Sequence, residues 1–199
     1  MTLGSIRVHD IVPRSEIYGP GTRWVLWVQG CTLACAGCWN TETWSRRAGS
    51  LRTVGSLLEE IGETGGIEGI TILGGEPLQQ AGPVLALIEG AGQMGFTAML
   101  YTGYEPHEFN ETMQACYDAS DIAITGRYVA EQRDLGLLWR GSANQVIESP
   151  TGRYADLEFE EMQEVEVLID HETGQVTMLG YPDEQILSDF KELMGNLRH

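Results

Sequence analysis

Apolar positions along the chain fall into short compact runs separated by stretches with helical spacing, and this alternation predicts a sheet assembled from strand–helix units. Trp24-Val25-Leu26-Trp27-Val28 is rich in aromatic and β-branched residues with no polar position, the pattern of a strand buried on both faces. Gly69 to Leu73, Phe96 to Tyr101 and Asp121 to Thr125 read the same way. Between them, Val54, Leu57, Leu58 and Ile61 recur at helical spacing and Gly62 ends the run, which predicts a helix from Leu51 to Ile61. A second helix is expected from about Gln79 to Met94, and a third from Pro106 to Ala119 with Phe109, Met113 and Tyr117 on one side. Strands separated by single helices point to a parallel sheet of βα units, with ligands beyond the C-terminal ends of the strands. The turn after each strand carries a glycine, and all of these turns fall on that edge.

The rest of the pattern is less regular. Ile6 to Arg23 reads as a loop-like lead-in, broken by Pro13, Gly19, Pro20 and Gly21. Arg127 to Gly141 has no clear period, and Asn144 to Glu148 suggests a further strand. Val165 to Ile169 and Gln175 to Leu179, joined by Asp170-His171-Glu172-Thr173-Gly174, predict a β-hairpin. A closing helix is expected from Glu184 to Met194, with Ile186, Leu187, Phe190 and Leu193 on its apolar side.

With 199 residues the chain is expected to form a single domain, 1–199, with its core at about 19–148 and the hairpin and helix as an extension over 150–199. Hydrophobic content of 42% and charged content of 21% belong to a soluble globular protein, and no apolar run is long enough to span a bilayer. Asp10 and Arg14 follow Met1 closely with no apolar segment, which excludes a secretory signal and leads us to expect a cytoplasmic protein with no membrane partner. A formal charge of −17 argues against nucleic acid as a partner, because a phosphate backbone needs a cationic surface. The acidity is densest from Asp156 to Glu166, a run that reads as a solvated face or as an attractor of a basic surface.

The candidate chemistry begins at Cys31-Thr32-Leu33-Ala34-Cys35-Ala36-Gly37-Cys38, which holds three of the four cysteines. Clustered thiolates select zinc or an iron–sulfur cluster, and spacing alone does not choose. No histidine lies near, and Cys116 is distant and falls on an apolar helix face, where it reads as core. A site of three cysteines leaves one metal position open. One strand later, Gly74-Gly75-Glu76-Pro77 forms a strand–turn–helix junction whose glycines admit a ligand close to the backbone, whose carbonyls offer acceptors, and whose Glu76 offers negative charge. Ordinary helix capping explains the same four residues taken alone.

The C-x3-C-x2-C pattern followed by GGEP resembles the radical S-adenosylmethionine (radical SAM) superfamily. The resemblance implies an α/β fold, a partial (β/α) barrel with parallel strands, here followed by the C-terminal hairpin and helix. It implies a 4Fe-4S cluster on Cys31, Cys35 and Cys38, with S-adenosylmethionine bound at the open iron and reductively cleaved to a 5′-deoxyadenosyl radical. Gly74, Gly75, Glu76 and Pro77 would then contact S-adenosylmethionine; Thr102, at the end of the third strand, reads as a further contact to it or as a turn cap, and Trp39, beside the last cysteine, as a cover over the adenine or the cluster or as an apolar anchor of the loop. No side chain is assigned a catalytic role, because the cluster and the cofactor carry the chemistry.

Within the superfamily, Gly19-Pro20-Gly21-Thr22-Arg23, Gln29-Gly30-Cys31, Gly37-Cys38-Trp39-Asn40, Thr43-Trp44, GGEP, Tyr101-Thr102-Gly103-Tyr104 and Arg140-Gly141-Ser142-Ala143-Asn144-Gln145 are similar, in this order, to the anaerobic ribonucleoside-triphosphate reductase activating proteins. This branch implies a protein substrate: hydrogen abstraction from a glycine of a partner glycyl radical enzyme, with flavodoxin or ferredoxin as electron donor. Arg140, Ser142, Asn144 and Gln145 are candidate contacts to the cofactor or a substrate peptide, or members of a loop held by its own polar network. Thr125 stands before Gly126 where the branch often has an acidic residue. Two readings stand beside this one: a small-molecule or peptide enzyme resembling 7-carboxy-7-deazaguanine synthase, which usually has Asp-Thr where this chain has Asn40-Thr41, and a non-catalytic iron–sulfur protein.

Overall fold

The computed structural model describes residues 4–156, 158, 165–169, 172–174, 176–180 and 182–196. Most of the acidic run from Asp156 to Glu166 lies outside the described residues, as do Asp170 and His171 of the hairpin turn.

The chain begins with a strand, not a loop. β1, Ser5–Ser15, pairs antiparallel with β2, Arg23–Val28. It escapes the period-2 reading because a register shift between Val8 and Asp10 exchanges its faces: Ile6 and Val8 pack toward the helices, whereas Val12 packs on the opposite face. Pro13 is tolerated because β3, Ser50–Thr53, pairs only with Ser5 to Val8, so that the later part of β1 has an open edge. β3 takes the first residues of the predicted first helix. The helix itself, α1 (Val54–Glu63), starts at Thr53, whose side chain accepts from the N–H of Ser56 at 3.1 Å, and it buries Val54, Leu57 and Ile61.

The next elements follow the expected order. β4, Gly69–Gly74, leads through a 3₁₀ turn at Pro77–Gln80 into α2, Ala81–Gln93. β5, Thr97–Tyr101, precedes a 3₁₀ turn at Pro106–Glu108 and α3, Glu111–Asp118, so the predicted third helix is two pieces. The break falls at Asn110, whose side chain caps α3 by accepting from Thr112 N and Met113 N, both at 3.0 Å. β6, Ile122–Thr125, is followed by an irregular segment and β7, Val146–Glu148. The sheet order is β3-β1-β2-β4-β5-β6-β7, and the central β2-β4-β5-β6 are mutually parallel. β7 closes the far side antiparallel to β6. The expected parallel (β/α) sheet is present, flanked by antiparallel strands that the apolar pattern did not resolve.

One layer of core lies between the sheet and α1–α3, built from Trp24, Leu26, Ile70, Ile72 and Leu100 against Leu57, Ile61, Leu87 and Ile88. Cys116 belongs to this layer, fully buried, as expected. The opposite face of the sheet carries two smaller apolar clusters, one around Val25, Trp27 and Leu73, the other around Met99, Ile124 and Trp139. The hairpin forms as β8, Val165–Ile169, and β9, Val176–Gly180, and the closing helix is α4, Glu184–Asn196.

At the N-terminal edge of the parallel strands, Arg23 is 1% exposed. It donates to the Thr97 hydroxyl at 2.6 Å, to the Thr71 hydroxyl at 3.1 Å and to the Ile70 carbonyl. Burial pulls its pKa down, and Tyr154, Glu68 and Asp121 oppose that pull. Arg23 therefore braces the starts of β2, β4 and β5, at the end of the strands away from the cysteines.

A candidate cofactor site at the C-terminal edge of the sheet

The three clustered cysteines leave β2 on a stem stitched to its surroundings. Gln29, 2% exposed, donates to the carbonyls of Glu42 at 3.0 Å and Ser45 at 2.8 Å. The N–H groups of Gly30 and Cys31 donate to the carbonyls of Thr43 at 2.7 Å and Trp44 at 3.2 Å. The loop then turns through Ala34 at φ 48° and Gly37 at φ 72°, and the Cys38 N–H closes a turn on the Cys35 carbonyl at 3.1 Å. A side chain at Gly37 would meet both the positive φ and the methyl of Ala130, 3.1 Å from an added Cβ.

The second motif lies directly against this stem. Gly75 N–H donates to the Val28 carbonyl at 2.8 Å and Glu76 N–H to the Gly30 carbonyl at 2.9 Å. An added Cβ at Gly75 would stand 2.5 Å from the Gly30 oxygen, and one at Gly74 (φ 109°) 2.8 Å from the Trp27 Cα. The two glycines are thus required by backbone packing between the motifs, a reason the sequence alone did not supply.

Glu76 is a brace. Its carboxylate accepts from Leu78 N at 2.9 Å, from the Thr102 hydroxyl at 2.8 Å and from Gly103 N at 2.8 Å, joining the ends of β4 and β5. The Thr102 hydroxyl also accepts from Tyr104 N at 3.1 Å. Burial pushes the Glu76 carboxyl up to about 7, against the opposing hydrogen bonds from Gly103, Leu78 and Thr102. Since this lies above the ordinary value of 4.5, the favourable contribution of the protonated carboxyl is complete below pH 4.5 and is lost as pH rises through 7. We expect the cofactor-free protein to lose roughly 3 kcal/mol of stability from this group between pH 5 and 8. Urea midpoints across that range should show the decline in the native chain and a flatter profile in Glu76→Gln; equal slopes would remove Glu76 as the cause.

These elements surround one cavity with about 950 Å³ of space not filled by protein, part of it open to solvent. Cys31, Cys35 and Cys38 line one side, and Gly74, Gly75, Glu76 and Pro77 another. Trp39, Thr102 and Gln145 also line it; Arg140, Ser142 and Asn144 do not. The RGSxNQ segment is instead tied into a polar network. Gln145 accepts from Gly141 N at 2.9 Å and donates to the Gly126 carbonyl at 3.1 Å, the Ser142 hydroxyl accepts from Val129 N at 3.1 Å, and Asn144 donates to the Arg127 carbonyl at 2.8 Å. Asn144 Oδ1 is buried there without a hydrogen-bond partner.

Several lining residues escaped the sequence reading. Leu73 and Tyr101 form apolar wall, while Tyr128, Arg133 and Leu135 come from the irregular segment after β6. The Arg133 guanidinium stacks 5.2 Å from the Trp39 ring centroid, so that the two cover the cavity together. No periodic signal marks Arg133. Arg127 holds the neighbouring turn through paired bonds to Glu108 at 2.6 and 2.8 Å, and this pairing holds the Glu108 carboxyl down to about 2.

The donor set fits an iron–sulfur cluster. Burial raises the thiol pKa values of Cys31 and Cys35, so these groups sit neutral until a metal displaces their protons. Among the described residues, no three His, Cys, Asp or Glu side chains gather closely enough to hold one metal ion. Three thiols on one loop suit a polynuclear centre, where each binds a different iron. The cavity beside them, with a buried carboxyl, backbone turns and an aromatic cover, has the mixed lining that takes a small amphiphilic ligand.

The protein family matching this chain is the 4Fe-4S single cluster domain, over residues 17–148. Similar curated proteins include the anaerobic ribonucleoside-triphosphate reductase-activating protein of Salmonella typhimurium, 33% identical over 71% of this chain and 97% of the relative. Those of Vibrio cholerae and Escherichia coli are 35% and 33% identical, each over 70% of this chain and 95% and 96% of their own lengths. Among solved structures, the crystal structure of QueE from Escherichia coli aligns with a TM-score of 0.44 and 16% identity over 59% of this chain and 69% of that one. No helix among the described residues is long and apolar enough to cross a membrane.

Proposed function

The chain belongs to the family of anaerobic ribonucleoside-triphosphate reductase-activating proteins, and from that premise we propose that it is a glycyl radical enzyme activase. Cys31, Cys35 and Cys38 would hold a 4Fe-4S cluster, and the edge formed by Gly74, Gly75, Glu76 and Pro77 would hold S-adenosylmethionine beside it. When bound, the two supply a 5′-deoxyadenosyl radical able to take a hydrogen atom from a glycine of the partner reductase. The observation that carries this reading is that the cysteine loop and the GGEP turn, separate in sequence, line the same cavity and are bonded to each other through Gly30, Gly75 and Glu76.

The chain's own side chains position and protect. Glu76 fixes the β4 and β5 ends and places a buried carboxyl where a ligand's ammonium group would favour its ionised form. Thr102 acts through Glu76, to which its hydroxyl is committed. Trp39 and Arg133 shield the cavity, while Leu73 and Tyr101 keep its wall apolar and limit quenching by water. Gln145 reaches the cavity, whereas Ser142 and Asn144 serve the loop that carries it and Arg140 lies outside the cavity lining. All three clustered cysteines are partly exposed, so a flavodoxin or ferredoxin can approach the cluster from solvent.

The test is a strictly anaerobic assay of reconstituted protein with S-adenosylmethionine and dithionite, scoring 5′-deoxyadenosine, repeated with the anaerobic reductase from the same source. We expect 5′-deoxyadenosine in both and a glycine-centred doublet in the electron paramagnetic resonance spectrum only with the reductase. A loaded cluster that yields neither product overturns the proposal.

A further inference from the structure

The face of the sheet turned away from α1–α3 is covered by the chain itself. Val12, Tyr18, Val25, Trp27 and Leu73 form an apolar patch there, with Leu179 of β9 buried in it and Leu168 of β8 packed against it. Among the described residues, polar contacts also hold the hairpin: Gly180 N donates to the Tyr18 hydroxyl at 3.0 Å, and the Ser15 hydroxyl donates to the Glu166 carboxylate at 2.6 Å. The hairpin register pairs Glu166 with Leu179 and Leu168 with Thr177, which makes these its inward side. The alternate residues Val167 and Ile169 remain 47% and 57% exposed.

What lies beneath the hairpin is continuous with the cavity. Leu73 is buried in the patch and Tyr101 packs against it, and both also line the cavity. The matched family domain ends at residue 148, before β8 begins. A segment beyond the family domain therefore closes the side of the site.

We infer that the β8–β9 hairpin is a displaceable cover over a lateral entrance to the cavity, released when the glycine-bearing segment of the partner enters; this rests on the activase reading. A peptide that approaches the Leu73–Tyr101 wall from this side crosses the surface that Leu168 and Leu179 occupy. Among the described residues Leu168 and Leu179 join the hairpin to the patch, and a lone two-stranded hairpin is marginal by itself, so it opens as a unit while the sheet stays folded. In the closed state the same leucines keep solvent from the cavity wall, which protects a reactive site between turnovers.

Hydrogen–deuterium exchange on the full-length chain tests this. Alone, the amides of 165–169 and 176–180 should exchange at least about tenfold faster than those of β2 and β4. Exchange of the hairpin together with those strands would make it a fixed wall and overturn the inference. Adding the anaerobic reductase should accelerate hairpin exchange further; protection of the hairpin would also overturn it, by making β8–β9 a docking element. A reductase that alters exchange nowhere in the chain speaks against the activase reading, while the comparison made without it still decides whether the cover opens. Leu168→Ser/Leu179→Ser should loosen the hairpin without changing exchange in β2 and β4, and loss of protection across the sheet in that variant would count against an independent cover.

Discussion

Cys31→Ala, Cys35→Ala and Cys38→Ala should each lose 5′-deoxyadenosine formation by about three orders of magnitude or more, which corresponds to roughly 4 kcal/mol of barrier. The reason is stoichiometric. On the proposed assignment each thiol binds a different iron, so replacing any one of them removes a ligand from the cluster. Cys116→Ala is the control. Its thiol is fully buried, donates to the Ala81 carbonyl at 3.2 Å and is pushed up to about 12 by burial, so it is unsuited to supply a thiolate. That variant should keep the cluster absorbance and the activity while losing about 1–2 kcal/mol of stability through the vacated volume and lost bond. Retention of the cluster spectrum after all three loop cysteines are replaced would remove the metal assignment, and its loss in Cys116→Ala would move it.

The second large effect is expected at the other end of the sheet. Arg23→Met should destabilise the fold by roughly 3–5 kcal/mol, because removing one member of a buried charged network strands its partners. The hydroxyls of Thr71 and Thr97 and the Ile70 carbonyl all accept from this guanidinium. Tyr154, bonded to Glu68 beside it, also loses the charge that opposes the effect of its own burial. Arg23→Lys should recover only part of the loss, since a single ammonium does not reproduce the guanidinium fork that reaches β4 and β5 together. Urea denaturation measures both. A midpoint for Arg23→Met within error of the native value would show that Arg23 is dispensable to the sheet. Its position in the Gly19–Arg23 motif marks it as a residue of the fold.

The central strands were legible because burial on both faces leaves an uninterrupted apolar run, as in β2, where all six residues are buried. β1 was not, because the register shift after Val8 places Ile6 and Val12 on opposite faces despite their even separation. β3 was absorbed into the following helix: Leu51 is 63% exposed and supplies no buried face. At the site, the two motifs were visible as residue types at fixed spacings. The partners of Glu76, Thr102 and Gln145 were not, since hydrogen bonds between the ends of different strands leave no local pattern. Arg133 and Leu135 reach the cavity from an aperiodic segment whose path combines a short 3₁₀ turn at Ala130–Gln132 with tertiary contacts.

The backbone contact between Gly30 and Gly75 makes the two motifs a single mechanical part. The cysteine loop cannot be transplanted to another scaffold as a peptide of eight residues, since its stem is gauged against the bare edge of a neighbouring parallel strand. A working graft would have to carry both strand ends and the glycines between them, and a library that varies one motif samples only distortions of the other.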